Sequence, residues 1–226
     1  MSLLTTAWLY LTVFSAGLVT LAIELSASRL LGNVFGSGNI VWVNVIGLIL
    51  VYLTAGYYLG GKLADRQAET RSLYSVLAWA SLLTIAMPLI ARIIVPLIAR
   101  LVGASSWALF LGSFLSVLVI FSAPVILLAF TSPFALRLLL DHPDHAGRTS
   151  GTIYALSTLG SIAGAFVAVF GLIPGLGALR TFLSLGTGLL LIVFLGLLWE
   201  DRSRLVRMSW MIPLAAMGWY LASVMR

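Results

Sequence analysis

Glu24 is the one carboxylate of this chain that lies within an apolar stretch long enough to cross a bilayer, with no loop or helix end to account for it. An ionised group at that depth costs about 2.5–3.5 kcal/mol on insertion scales, so it faces a protein interior or a wet cavity and marks a substrate, ion or proton site. On a helix, Gly17, Thr20, Glu24 and Ser28 recur at steps of three or four and share one face, whereas Arg29 points about 140° away. Arg29 lies near the outer end of its span and reads as an anchor whose head snorkels to the interface. Asn44 in a second apolar stretch, and Tyr154, Ser157, Thr158 and Ser161 at helical steps in a fifth, supply amide, hydroxyl and aromatic groups for the same centre. An acid among such neighbours suits a cation or a titrating proton. A structural carboxylate hydrogen-bonded between helices satisfies the same pattern, and the spacing leaves both readings open.

The elements that hold this acid follow from composition. With 61% hydrophobic residues and only 9% charged ones, the chain cannot bury its apolar side chains in a water-soluble core and must use lipid as solvent. The apolar runs are about 20 residues long rather than alternating segments of about 10, which selects helices over barrel strands. The expected fold is therefore all-α, a polytopic bundle forming a single membrane domain over 1–226. Its spans read as 7–31, 40–60, 72–91, 106–136, 150–173, 180–199 and 209–225, seven in all. The stretch 92–102, with Arg92 and Arg100 around Ile93, Ile94 and Leu97, is too short to span and reads as an interfacial amphipathic helix.

Cysteine is absent, which excludes disulfide frameworks, thiolate catalysis and cysteine-ligated metal centres. The net charge of +6 does not point to nucleic acid, because the basic residues are scattered in short groups between the spans and form no basic stripe. The first span lacks a basic leader and an A-x-A cleavage site and reads as a retained span. Lys62, Arg66, Arg71, Arg137, Arg148, Arg202, Arg204 and Arg207 fall on one side of the bundle; Arg29, Arg92, Arg100, Arg180 and Arg226 fall on the other. The positive-inside rule makes the first side cytoplasmic, with the N-terminus inside and the C-terminus outside. Trp199, Trp210, Trp219 and Tyr220 stand where interfacial aromatics are expected.

Pro124 and Pro133 interrupt the fourth span, and each frees a carbonyl that must be covered by protein, a hydroxyl or water. The pairs Gly56/Gly60, Gly160/Gly164 and Gly171/Gly175 have the small-xxx-small spacing of close helix seams. Asp65 and Arg66 read as a charge clamp at a helix end. Asp141, His142, Asp144 and His145 crowd one short loop whose chemistry suits a metal. Pro143 interrupts that loop and no i,i+4 histidine pair is present, so it reads as solvated and no metal site is assigned. Glu200, Asp201, Arg202, Arg204 and Arg207 read as an interfacial loop touching anionic lipid.

Four ordered blocks carry a resemblance. They are Ser15-Ala16-Gly17 with Glu24 to Arg29, Leu30-Leu31-Gly32 and Phe35-Gly36-Ser37; Gly56 through Gly60-Gly61-Lys62-Leu63-Ala64-Asp65-Arg66; Pro124 with Thr131-Ser132-Pro133; and Gly147-Arg148 with Tyr154-Ala155, Ser157-Thr158-Leu159-Gly160 and Leu172-Ile173-Pro174-Gly175-Leu176-Gly177. Over roughly residues 15–180 the chain resembles the membrane part of the membrane-embedded spermidine synthase-like proteins, also called fused major-facilitator/spermidine synthases. That family carries Trp at the position of Ala27 and Asn at that of Ser157, so a site built on those two side chains is not carried over. The segment Gly61 to Arg66 also resembles the cytoplasmic loop motif of major facilitator transporters, which implies one half of such a transporter plus one helix.

The resemblance implies a prokaryotic inner-membrane protein with a link to polyamines. Relatives continue into a Rossmann-like aminopropyltransferase domain; here no strand leads into a G-x-G-x-x-G turn, and no cofactor or catalytic residue is assigned. Aminopropyl transfer by this chain alone is not expected. Three functions are therefore carried forward: a carrier-like module for a cationic amine or a proton-coupled substrate centred on Glu24; a non-catalytic scaffold that anchors a separate enzyme or joins a larger membrane complex; and the membrane component of an aminopropyltransferase, with a separate soluble subunit docking on the cytoplasmic loops. A half-transporter also implies a homo-oligomer.

Overall fold

A computed structural model describes residues 3–103, 105–140 and 143–224. Among them the chain is all helical, with no strand. It runs α1 (Leu3–Phe35), α2 (Asn39–Arg66), α3 (Thr70–Val102), α4 (Ser106–Ala129), α5 (Thr131–Leu139), α6 (Ala146–Phe166), α7 (Ile173–Leu176), α8 (Ala178–Glu200), α9 (Arg202–Met208) and α10 (Met211–Val224). A π-helical stretch, Val167–Leu172, joins α6 to α7. Among the described residues six helices are long and apolar enough to cross a membrane: α1, α2, α3, the α4–α5 unit from Trp107 to Leu139, the α6–α7 unit from Ala146 to Leu176, and α8. The chain is thus a multi-pass membrane protein.

Several boundaries differ from the sequence expectation. Residues 92–102 are not a separate interfacial helix; they continue α3, which stays helical through Pro88 and Pro96. At about 1.5 Å per residue its 33 residues reach about 50 Å against a hydrocarbon layer of about 30 Å, so one helix supplies both a span and its interfacial extension. The segment expected as a seventh span is α10, 14 residues and about 21 Å in its described extent, packed on α3 and α8. The residues from Glu200 to Arg207 are not a loop: Glu200 ends α8, Asp201 joins the two helices, and Arg202, Arg204 and Arg207 belong to α9. Asp201 caps this helix by accepting from the amides of Ser203 and Arg204 at 3.0 and 3.1 Å. Arg204 reaches back to the carbonyl of Arg71 and the hydroxyl of Ser75 on α3, at 3.2 and 3.1 Å.

Both irregular spans owe their breaks to proline. Pro133 has no N–H for the carbonyl of Ala129, and the helix steps at Phe130 between α4 and α5. Pro174 likewise withdraws the donor of Phe170, and the backbone rewinds there to the wider π geometry. Pro124 is buried within α4, which continues through it. At the end of α1, Gly36 adopts φ +81°, and its amide closes the last turn on the Gly32 carbonyl at 3.0 Å.

The closest helix pairs are span one with span five, span two with span four, and span three with span six; span one also meets span six as span three meets span four. Exchanging spans one, two and three for four, five and six maps this set of contacts onto itself. Three spans per unit is an odd number, so the two units run in opposite senses, the arrangement of an inverted repeat.

Two of the three glycine pairs form seams. A methyl added at Gly160 or Gly164 would overlap the carbonyl oxygens of Phe14 and Leu18 on α1, and one at Gly56 would overlap Ile126 and Ala129 on α4. Gly60 packs under Phe130 and Pro133. Gly171 and Gly175 instead face open space and form no seam.

Candidate functional site: an acceptor-lined cavity at Glu24

Glu24 is half-buried and lines a cavity of about 100 Å³ between α1, α2, α6 and the α4–α5 step. Helical side chains slant toward the helix N-terminus, so the carboxylate is carried back over Thr20 and Gly17, which line the same cavity. Leu53 and Tyr57 close it from α2, Ala129, Thr131 and Ser132 from the proline-broken span, and Ser157 and Ser161 from α6. The contact of Gly17 with α6 brings these groups together, because its missing side chain leaves the Ser157 backbone directly against α1.

Three of the six hydroxyls lining this cavity have committed their protons to backbone carbonyls. Thr20 Oγ1 donates to the Ala16 carbonyl at 2.8 Å, and Thr131 Oγ1 to the Leu128 carbonyl at 2.7 Å. Ser161 Oγ donates to the Gly17 and Ser157 carbonyls at 3.2 and 3.1 Å. A hydroxyl whose proton is spent on a backbone carbonyl is left with lone pairs, so its remaining capacity is as an acceptor. Ala129, another lining residue, has a carbonyl without an i+4 donor, because residue 133 is proline. No lysine, arginine or histidine is among the lining residues. The cavity therefore holds an acid beside three acceptor hydroxyls, with Tyr57, Ser132 and Ser157 able to donate, and its lining supplies no positive charge.

The other residues singled out in the sequence lie elsewhere. Asn44 is not part of this cavity; it is buried against α4, where Nδ2 donates to the Phe110 carbonyl at 3.0 Å and to Ser113 Oγ at 2.8 Å. Ser28 donates to the Leu25 carbonyl at 2.8 Å and belongs with Arg29 to a separate cavity of about 290 Å³ beside Trp42 and Pro174. Tyr154 and Thr158 are exposed. The stripe they share with Ser157 and Ser161 is about 100° wide, and the edge of the α1–α6 contact runs down its middle. Asp65 pairs with Arg137 of α5 at 3.7 Å rather than with Arg66, and joins the ends of α2 and α5 through exposed side chains. Asp141 and His142 lie outside the described residues; Asp144 and His145 form an exposed 3-10 turn leading into α6.

Tyr57, Thr131 and Ser132 line the cavity without having been singled out as site residues. Thr131 and Ser132 directly precede Pro133, and a hydroxyl beside a helix-breaking proline was the available signal. Tyr57 offered none, because its phase against α1 is set by how Gly56 and Gly60 seat α2 on the fourth span.

Beyond the membrane, two carboxyls are held below their ordinary range. At Asp201 the cause is first the Ser203 hydroxyl and then the Arg204 amide; at Glu69 it is the hydrogen-bonded guanidinium of Arg71, 2.6 Å away. Comparison with family models, with curated proteins and with solved structures returned no match to this chain.

Proposed function

We propose that this protein is a carrier-like membrane module whose Glu24 cavity takes up a proton or a small cation. The observation that carries the reading is a cavity lining that holds an acid and three hydroxyls with their protons committed, with no basic side chain to neutralise the acid. Such a site is completed by a positive charge from outside the chain. Its volume of about 100 Å³ accommodates about three water molecules, which suits a proton on water or one small cation. An extended polyamine would require the helices to part. Two features support movement of this kind: the inverted pairing of spans one to three with four to six, and the proline break that borders the site.

The kinship with membrane-embedded spermidine synthase-like proteins belongs to the same proposal and rests on the four motif blocks, as does an inner-membrane location with the N-terminus in the cytoplasm on the count of basic residues.

Reconstitution into liposomes tests the reading. The native chain is expected to dissipate an imposed proton or monovalent-cation gradient, and Glu24→Gln to lose that flux while remaining monodisperse and helical. Equal flux through the native chain and the variant would remove Glu24 from the function and favour the scaffold.

A further inference from the structure

The end of the bundle bearing the C-termini of α1 and α3 has a charge pattern unlike the rest of the chain. Arg29, Arg92, Arg100 and Arg180 belong to it, whereas the carboxylates of the chain are Glu24, Asp65, Glu69, Asp141, Asp144, Glu200 and Asp201. Apart from Glu24, which lines its own cavity, the described acids belong to the opposite end or its loops. Arg92, Arg100 and Arg180 therefore have no described acid near them in sequence or span position, in contrast to Arg71, Arg137 and Arg204, each of which has a carboxylate partner.

Two of these arginines converge on one cavity. Arg92 from the middle of α3 and Arg180 from the first turn of α8 line a space of about 510 Å³, together with Asn33 near the end of α1. Arg180 is half-buried. Gly177, Ala178 and Leu179 border the same space, so the opening amides of α8, which lack helical acceptors, lie at its wall. Leu30, Leu89 and Leu176 add apolar surface, and among the described lining residues there is no carboxylate. Two guanidiniums, an amide side chain and a helix start match an anion with several acceptor oxygens. The leucines beside them match the carbon skeleton to which such an anion is esterified.

We propose that this cavity binds a phosphate ester, with Arg92 and Arg180 holding the phosphate oxygens and the leucines holding its glycerol or acyl portion. The ester is either the headgroup of an anionic phospholipid or a free phosphorylated metabolite. The site is separate from Glu24 and does not depend on what that residue binds.

The test titrates delipidated full-length protein in a neutral detergent with dioctanoyl phosphatidylglycerol in one arm and glycerol 3-phosphate in the other. Native mass spectrometry counts the bound molecules and a thermal shift measures affinity. One saturable site per chain is expected. Binding of the lipid alone assigns a membrane headgroup, and binding of both assigns a site open to free phosphate esters. Replacing Arg92 and Arg180 together by Gln is expected to weaken binding roughly tenfold or more, the scale of a lost charge-assisted contact. Arg180→Lys should recover part of the loss. Arg100→Gln, on an exposed arginine outside the lining, and Glu24→Gln should bind as the native chain does. Absence of saturable binding to the native chain in both arms overturns the proposal, as does unchanged affinity in the folded double variant.

Discussion

Gly17 of α1 and Ser157 of α6 meet backbone to backbone, closely enough that a methyl on Gly17 would overlap the Ser157 carbonyl oxygen. This contact forms one wall of the Glu24 cavity and repeats along the helix pair, with Gly160 against Phe14 and Gly164 against Leu18. In lipid, where apolar surface alone drives no association between helices, such close approach supplies the packing that holds spans one and five together.

Substitution along this seam should therefore be costly. Gly160→Ala forces a methyl onto the Phe14 carbonyl and is expected to destabilise by about 1–3 kcal/mol, the range for overpacking. Gly171→Ala, with nothing within 4 Å of the added carbon, should leave stability unchanged or raise it by up to about 1 kcal/mol. Thermal unfolding in detergent compares the two, and equal melting temperatures would contradict the seam.

Asn44 offers a second comparison, since its amide joins α2 to α4 through Phe110 and Ser113 and does not reach the cavity. Asn44→Ala is expected to lower stability by about 1–2 kcal/mol, the scale of hydrogen bonds between helices in lipid, without altering cation or proton flux. Loss of flux in a variant that folds normally would place Asn44 in the site after all.

What could be read from the sequence divides along the same line. Gly17, Thr20 and Glu24 were legible as one face because helical period is a local property, and the structure places all three on one cavity. Which faces of different helices meet is not local. Asn44 has the right chemistry for the site but turns to α4, and Tyr154 and Thr158 fall just beyond the edge of the α1–α6 contact. The extent of α3 was hidden for another reason: counting about 20 apolar residues per span stops where the bilayer does, while the helix continues to Val102. Arg204 resembled a lipid contact because its partners on α3 are more than 120 residues away.

Between α8 and α9, the Asp201 carboxylate holds the first turn of α9 and pairs with Arg204 at 3.5 Å. Its folded-state titration lies below the ordinary aspartate value of 3.8, so its contribution is present above that value and is lost as pH falls through the native one. Hydrogen-exchange protection over residues 202–208, corrected for the intrinsic rate, should fall in acid below 3.8, and Asp201→Ala should show the same loss of protection at neutral pH. Exchange that is identical in the variant and the native chain at neutral pH would show that the cap holds nothing.

The Asp65–Arg137 pair shows how little an exposed ion pair contributes here. At 3.7 Å, with both side chains at least half exposed, a double-mutant cycle of Asp65→Asn and Arg137→Gln is expected to give a coupling below about 1 kcal/mol. A coupling of several kcal/mol would indicate a buried clamp between α2 and α5 in place of a surface pair.

The most direct measurement is the infrared difference spectrum of the native protein minus Glu24→Gln, recorded across pH and with added monovalent cations. A Glu24 that receives a proton or cation in an acceptor-lined cavity should give a carboxyl band, absent in the variant, that changes with pH or shifts when a cation enters. A band unchanged from acid to alkaline pH, and indifferent to every cation tested, would contradict the assignment of this cavity as a binding site.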